Sequence, residues 1–235
     1  MQTTLAQFGE TQSQDAFALQ NSKLLKVRLE AVTIQAKLGS MVAYQGDVRF
    51  EHAGSGGLSR MLKKAVSGEG AALMKVTGTG EVFLADRAQD VHLIHLQDDL
   101  VTVNGRNLLA FDAGIDWDIK RVEGASSIMG AGLFNLALRG TGWVAILSDG
   151  PPVLLDVASA PTFADAQAAI TWSSGVTTGI RTDFKAKNLI GKGSGESVQM
   201  SFHGEGWVLV QPSEGRLEMT GDGSGAKGLG GLFNG

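Results

Sequence analysis

The side chains in this sequence that could carry chemistry are few and widely spaced. His92 and His95 stand three apart in Val91-His-Leu-Ile-His-Leu96, and two imidazoles bind one metal only when they share a face. A strand turns residues three apart to opposite faces, so the pair reads as ordinary strand residues. Asp112, Asp116 and Asp118 form the densest acidic group. Asp116 and Asp118 would share a strand face around Trp117, which a cation site or an acid–base pair could use but a solvated strand shows more often. His52 and His203 have no carboxylate or hydroxyl at a triad spacing. The absence of cysteine removes thiol nucleophiles, disulfides and thiolate metal sites. No nucleophile elbow, Walker string, H-E-x-x-H or EF-hand loop occurs. The residues thus point to a protein that is not an enzyme, with no cofactor and no metal.

One recurrent motif remains, a G-x-G at Gly78-Thr-Gly80, Gly140-Thr-Gly142 and Gly204-Glu-Gly206. The second copy continues to Ala145 and fits a dinucleotide-binding string, whose physics requires a helix N-terminus directly after the turn. The chain instead continues Ile146-Leu-Ser-Asp-Gly-Pro-Pro152, a strand end followed by a turn with two prolines. Each G-x-G lies in a stretch of period two: Met74 to Leu84, Leu136 to Ile146 and Met200 to Val210. Alternate residues are apolar or glycine, so the stretches are strands. A glycine within a strand costs roughly 0.5–1 kcal/mol relative to alanine. A geometric need is therefore expected at each pair: a bulge, a sharp bend, or close approach of a facing sheet.

These strands recur at offsets of 62 and 64 residues. Ala110 to Trp117 matches Thr171 to Thr178 at an offset of 61, Gln35 to Val42 forms a weaker copy, and Ser67-Gly-Glu69 recurs as Ser194-Gly-Glu196. A fixed period is the mark of a repeated unit. The chain divides into an N-terminal segment (1–22), three β units (23–96, 97–160, 161–215) and a glycine-rich tail (216–235). Within the first unit, residues 57–66 carry Leu58, Met61, Leu62 and Ala65 at helical spacing, with Arg60, Lys63 and Lys64 opposite. This predicts one short inserted helix whose apolar face closes the core or forms a subunit interface. Its three cations leave an anionic membrane surface as a further candidate partner. In the tail, Gly231-Leu232-Phe233-Asn234 repeats Gly132-Leu-Phe-Asn135 and could dock by strand addition.

Twenty Lys and Arg against 24 Asp and Glu give a net charge of −4, which argues against a surface built for phosphates and hence against nucleic acid. Met1 to Gln20 lacks the basic start and apolar run of a secretory signal and the arginines of a transit peptide. No uncharged run reaches the ~20 residues of a spanning helix. The expected location is the bacterial cytoplasm.

Ser67-Gly-Glu69, Gly78-Thr-Gly-Glu-Val-Phe-Leu-Ala85, Leu108-Leu-Ala-Phe-Asp112 and Gly204-Glu-Gly-Trp-Val-Leu-Val-Gln-Pro212 resemble the mitochondrial biogenesis family named for altered inheritance of mitochondria. The resemblance covers about residues 25–213. It implies an all-β, double-stranded β-helix-like sandwich or barrel similar to the tryptophan RNA-binding attenuation protein, built from repeated units and often oligomeric. The family has no established catalytic residues to carry over. Here Gly204-Glu205-Gly206 stands where members often have Gly-Pro-Gly, and Ser213 where an Arg tends to follow the last strand. The expectation is an interaction or scaffolding β protein that forms homo-oligomers. A small-molecule-binding barrel and a peripheral membrane-associated organiser are the alternatives. The residues singled out for interaction are Leu58, Arg60, Met61, Lys63, Lys64, Leu232 and Phe233.

Overall fold

A computed structural model describes residues 3–52, 72–121, 134–181 and 199–213. Fourteen strands follow in chain order: β1 (Phe17–Asn21), β2 (Leu24–Lys37), β3 (Met41–His52), β4 (Leu73–Leu84), β5 (Asp90–Asn104), β6 (Leu108–Asp112), β7 (Asp116–Arg121), β8 (Phe134–Ser148), β9 (Val153–Asp156), β10 (Thr162–Asp165), β11 (Ala169–Ser173), β12 (Val176–Arg181), β13 (Gln199–Gly204) and β14 (Trp207–Val210). The helical elements among the described residues are two short 3-10 turns, Leu5–Phe8 and Gly105–Asn107. The protein is all-β, as its period-two stretches predict. The helix expected over 57–66, and with it Leu58, Arg60, Met61, Lys63 and Lys64, lies outside the described residues, as do Ser67–Glu69, Ser194–Glu196 and the tail with Leu232 and Phe233.

All pairings between strands are antiparallel. One sheet runs β3-β4-β2-β6-β8-β5-β11-β14-β9, with β1 added to β2 and β7 to β8, and a second runs β10-β13-β12. Among the described residues no pairing joins β3 to β9, so the larger sheet stays open and the barrel form of the expectation is not met. The apolar faces read from the sequence each enter one cluster. Met74, Val76, Val82 and Leu84 bury with β1 and β2, Leu136, Leu138, Val144 and Ile146 with β5 and β6, and Met200, Phe202 and Val208 with β11 and β12. β6 and β8 are buried on both faces, since Leu109, Ala110, Ala145 and Leu147 enter the first cluster while Leu108, Phe111, Val144 and Ile146 enter the second. The first and third clusters share no strand.

Each G-x-G strand changes partner or course at its glycines. Before Gly140, β8 pairs with β7, from Arg121↔Phe134 to Asp116↔Arg139. After Gly142 it pairs with β6, at Phe111↔Val144 and Leu108↔Ile146. The third set does the same, with β12 on β13 before Gly204 and β11 on β14 after Gly206, at Trp172↔Val208. In the first set a single strand, β3, spans both halves, with Val48↔Gly78 on one side and Tyr44↔Val82 on the other.

This register corrects one expectation. Gln35 to Val42 is not the counterpart of Ala110 to Trp117, because Gln35 and Ala36 pair directly with Phe111 and Ala110. The segment occupying that position is Ala43–Phe50, whose Tyr44 faces Val82 as Phe111 faces Val144. Its glycine, Gly46, stands one residue earlier than Gly114 in the matching frame, and this offset hides the match from a comparison anchored on glycine.

Candidate functional site

All six G-x-G glycines have positive φ, from 111° at Gly204 to 149° at Gly80, a region L side chains avoid. Close approach adds to this. A Cβ on Gly80 would lie closer than 3.0 Å to the carbonyl oxygen of Gln45 on β3, and one on Gly206 equally close to Ser173 Oγ. The crowding comes from the hydrogen-bonded neighbouring strand in both cases, and not from a facing sheet, one of the three needs expected.

At the second and third pairs a polar side chain fills the space that the missing Cβ leaves. Asp112, the last residue of β6, accepts a hydrogen bond at Oδ2 from the Trp143 backbone N–H at 2.6 Å. The same oxygen lies 2.6 Å from where a Gly142 Cβ would be. Ser173 Oγ accepts likewise from the Trp207 N–H at 3.0 Å. Burial holds the Asp112 carboxyl above its usual range, against the opposing pull of the Trp143 N–H and of His95. His95 is exposed and packs its ring, tilted by 53°, against Trp143, its cross-strand partner, with centroids 4.6 Å apart. An aspartate, a histidine and a tryptophan thus meet at one bend, the closest approach to a catalytic constellation among the described residues. The third bend has the same bond without a carboxylate. A neutral hydroxyl makes the same bond there, and a hydroxyl can fasten an amide but cannot replace a carboxylate in acid–base work.

A second near-constellation joins a serine and a histidine. Ser148 Oγ donates to the Gly150 carbonyl at 2.7 Å, so at 2.8 Å it accepts from His92 Nε2–H. The serine proton points away from the imidazole, the reverse of what a nucleophile needs. Burial holds the His92 imidazole below its ordinary value, opposed by Asp90, and Asp90 is itself paired with Lys23 at 2.6 Å. His92 and His95 therefore have separate partners, as their spacing predicts. Asp116 and Asp118 are exposed on β7, where Asp118 pairs with Lys120 at 3.3 Å, apart from the half-buried Asp112. Trp117 meets Phe111 edge-on at 6.4 Å. His203 ends near Phe163, ring to ring at 6.0 Å. Among the described residues no three His, Asp or Glu side chains come close enough to hold a metal.

The sequence reading missed one ionic cluster. Lys26 is buried and bonds Glu81 at 2.8 Å, Glu10 at 3.3 Å and the Thr11 carbonyl at 3.3 Å. Glu10 also accepts from Gln45 Nε2 at 2.8 Å. The Glu81 carboxylate is the main reason the Lys26 ammonium is held above its ordinary value, and Lys26 holds the Glu10 carboxyl below its own. The alternation of Leu25, Val27 and Leu29 puts Lys26 on the polar face of β2. Only the fold of the N-terminal segment reveals that Glu10 covers it.

The fold and these contacts define a class: an antiparallel β protein whose polar clusters fasten strands to one another. A family model described as Mitochondrial biogenesis AIM24 matches residues 17–213, and the chain belongs to that family. The crystal structure of protein SPYM3_0169 from Streptococcus pyogenes is similar, with a TM-score of 0.68 at 21% identity over 84% of this chain and 92% of that one. It shares the fold. No curated protein matches the sequence.

Proposed function

We propose that this protein is a non-catalytic interaction module, a β scaffold of three repeated units in the cytoplasm that associates with copies of itself. One observation carries the reading: apolar side chains stand exposed on the strands that end the larger sheet. Met41, Val42 and Tyr44 are exposed on β3, and Val153 and Leu154 on β9. Open edges lined with apolar groups invite further pairing, and self-association is one way to satisfy them. The use of the Asp112, Ser148 and Lys26 clusters as internal fasteners supports the non-catalytic half of the reading. The net charge of −4 makes nucleic acid a poor partner.

Light scattering coupled to size exclusion tests this. At micromolar concentration the expected particle mass is a multiple of the 24.6 kDa subunit. A sharp peak at one subunit overturns the reading.

A further inference from the structure

The described residues contain two internal junctions of one design, and segments of β3 and β10 occupy the matching positions. At the first junction Ile34–Ala36 of β2 pair with Ala110–Asp112 of β6: Ala36↔Ala110, Gln35↔Phe111 and Ile34↔Asp112. At the second, Val101–Val103 of β5 pair with Thr171–Ser173 of β11: Val103↔Thr171, Thr102↔Trp172 and Val101↔Ser173. The register along each G-x-G strand fixes which residues occupy these places. On the donor side, Ile34 faces Val76, two before Gly78, and Val101 faces Leu138, two before Gly140. Thr162 of β10 faces Phe202, two before Gly204. On the acceptor side, Phe111 and Trp172 face Val144 and Val208, two after Gly142 and Gly206, and Tyr44 of β3 faces Val82, two after Gly80.

Burial follows the same rule. Phe111 and Trp172 are 0% and 4% exposed at the closed junctions, whereas Tyr44, in the same position, is 48% exposed. Phe163, the middle residue of the β10 half, is 42% exposed. Among the described residues β3 pairs only with β4, and β10 ends the smaller sheet. The two halves belong to the first and third apolar clusters, which share no strand.

Resting on the repeat and self-association reading above, we propose that Thr162–Ala164 of one copy pair antiparallel with Ala43–Gln45 of the next, continuing the internal junction register between molecules. The pairs are Ala164 with Ala43, Phe163 with Tyr44 and Thr162 with Gln45, so two part-exposed aromatic rings, which in a single chain meet His203 and Phe50, become cross-strand neighbours. The contact is head-to-tail, so it propagates until a ring closes or a filament grows.

The test uses full-length chains blocked at one half each, Tyr44→Lys and Phe163→Lys, with Tyr44→Phe as the conservative control and circular dichroism to verify folding. Each blocked chain alone is expected at one subunit mass, with association weakened at least tenfold, and Tyr44→Phe at the wild-type mass. Mixed in equal amounts, the two blocked chains are expected to form a particle of twice 24.6 kDa and nothing larger, because each retains the half that the other lacks. If both blocked chains assemble like the wild type, the interface is wrong while self-association stands. If each is a monomer and the mixture stays monomeric, the contact is not head-to-tail. A monomeric wild type overturns this proposal together with the reading it rests on.

Discussion

Gly80, Gly140 and Gly206 share a backbone conformation but not the same surroundings, and this difference can be measured. Gly140 has φ of 131° and its nearest non-neighbour atoms would be 3.9 Å from an added Cβ, so Gly140→Ala meets conformational strain alone, about 1–3 kcal/mol. At Gly80 the same strain combines with a clash against the Gln45 carbonyl, which belongs to a paired strand and cannot move aside. Overpacking of that kind adds roughly 1–3 kcal/mol. Urea denaturation should therefore rank Gly80→Ala clearly below Gly140→Ala in stability, and equal midpoints would contradict the close-approach account. The spacing of the glycines marks these positions in the sequence. What crowds each one does not show there, because Gln45 lies 35 residues from Gly80 and Ser173 lies 33 from Gly206. The Asp112 and Ser173 fasteners are hidden for the same reason: one is a carboxylate, the other a hydroxyl, and only the fold reveals the shared task.

For the strands, alternation is the legible signal and pairing is not. The period-two stretches correspond to β4, β8 and the β13–β14 pair, with their apolar faces inward, because burial of one strand face is a local property of the pattern. Which strand lies alongside is a long-range matter, and the misplaced copy at Gln35–Val42 shows the consequence. Lys26 is a further case, since covering it requires the N-terminal segment to cross β2. Its carboxylate partner Glu10 titrates below the usual range in the folded chain, so that stabilisation is complete above the ordinary carboxylate pKa and is lost as pH falls through the lowered value. The Lys26 ammonium titrates above its ordinary value, so its contribution is complete below that value and is lost as pH rises through the raised one. Lys26→Met leaves the partly buried Glu81 without its cation, an expected loss of about 1 kcal/mol at neutral pH. Denaturation at several pH values should show that difference constant through neutrality and shrinking in acid, as pH falls through the lowered Glu10 value. A difference that persists undiminished in acid would mean that Lys26 acts through packing and not through charge.

Across the described residues, the second apolar cluster shares strands with both of the others. It draws on β4, β5, β6 and β8, which also serve the first, and on β11 and β14, which also serve the third. A linear array of repeats has two ends that its interior does not have, and such ends are either capped or joined. In the junction we propose, Tyr44 and Phe163, 48% and 42% exposed, stand at two such ends and are joined between copies. The most direct measurement is hydrogen exchange of the Ala43–Gln45 and Thr162–Ala164 amides in the wild-type protein at high and low concentration. The account predicts slow exchange at these amides in the concentrated protein and faster exchange on dilution, with the Ala110–Asp112 and Thr171–Ser173 amides slow throughout. Fast exchange at both open segments in the concentrated protein would contradict it.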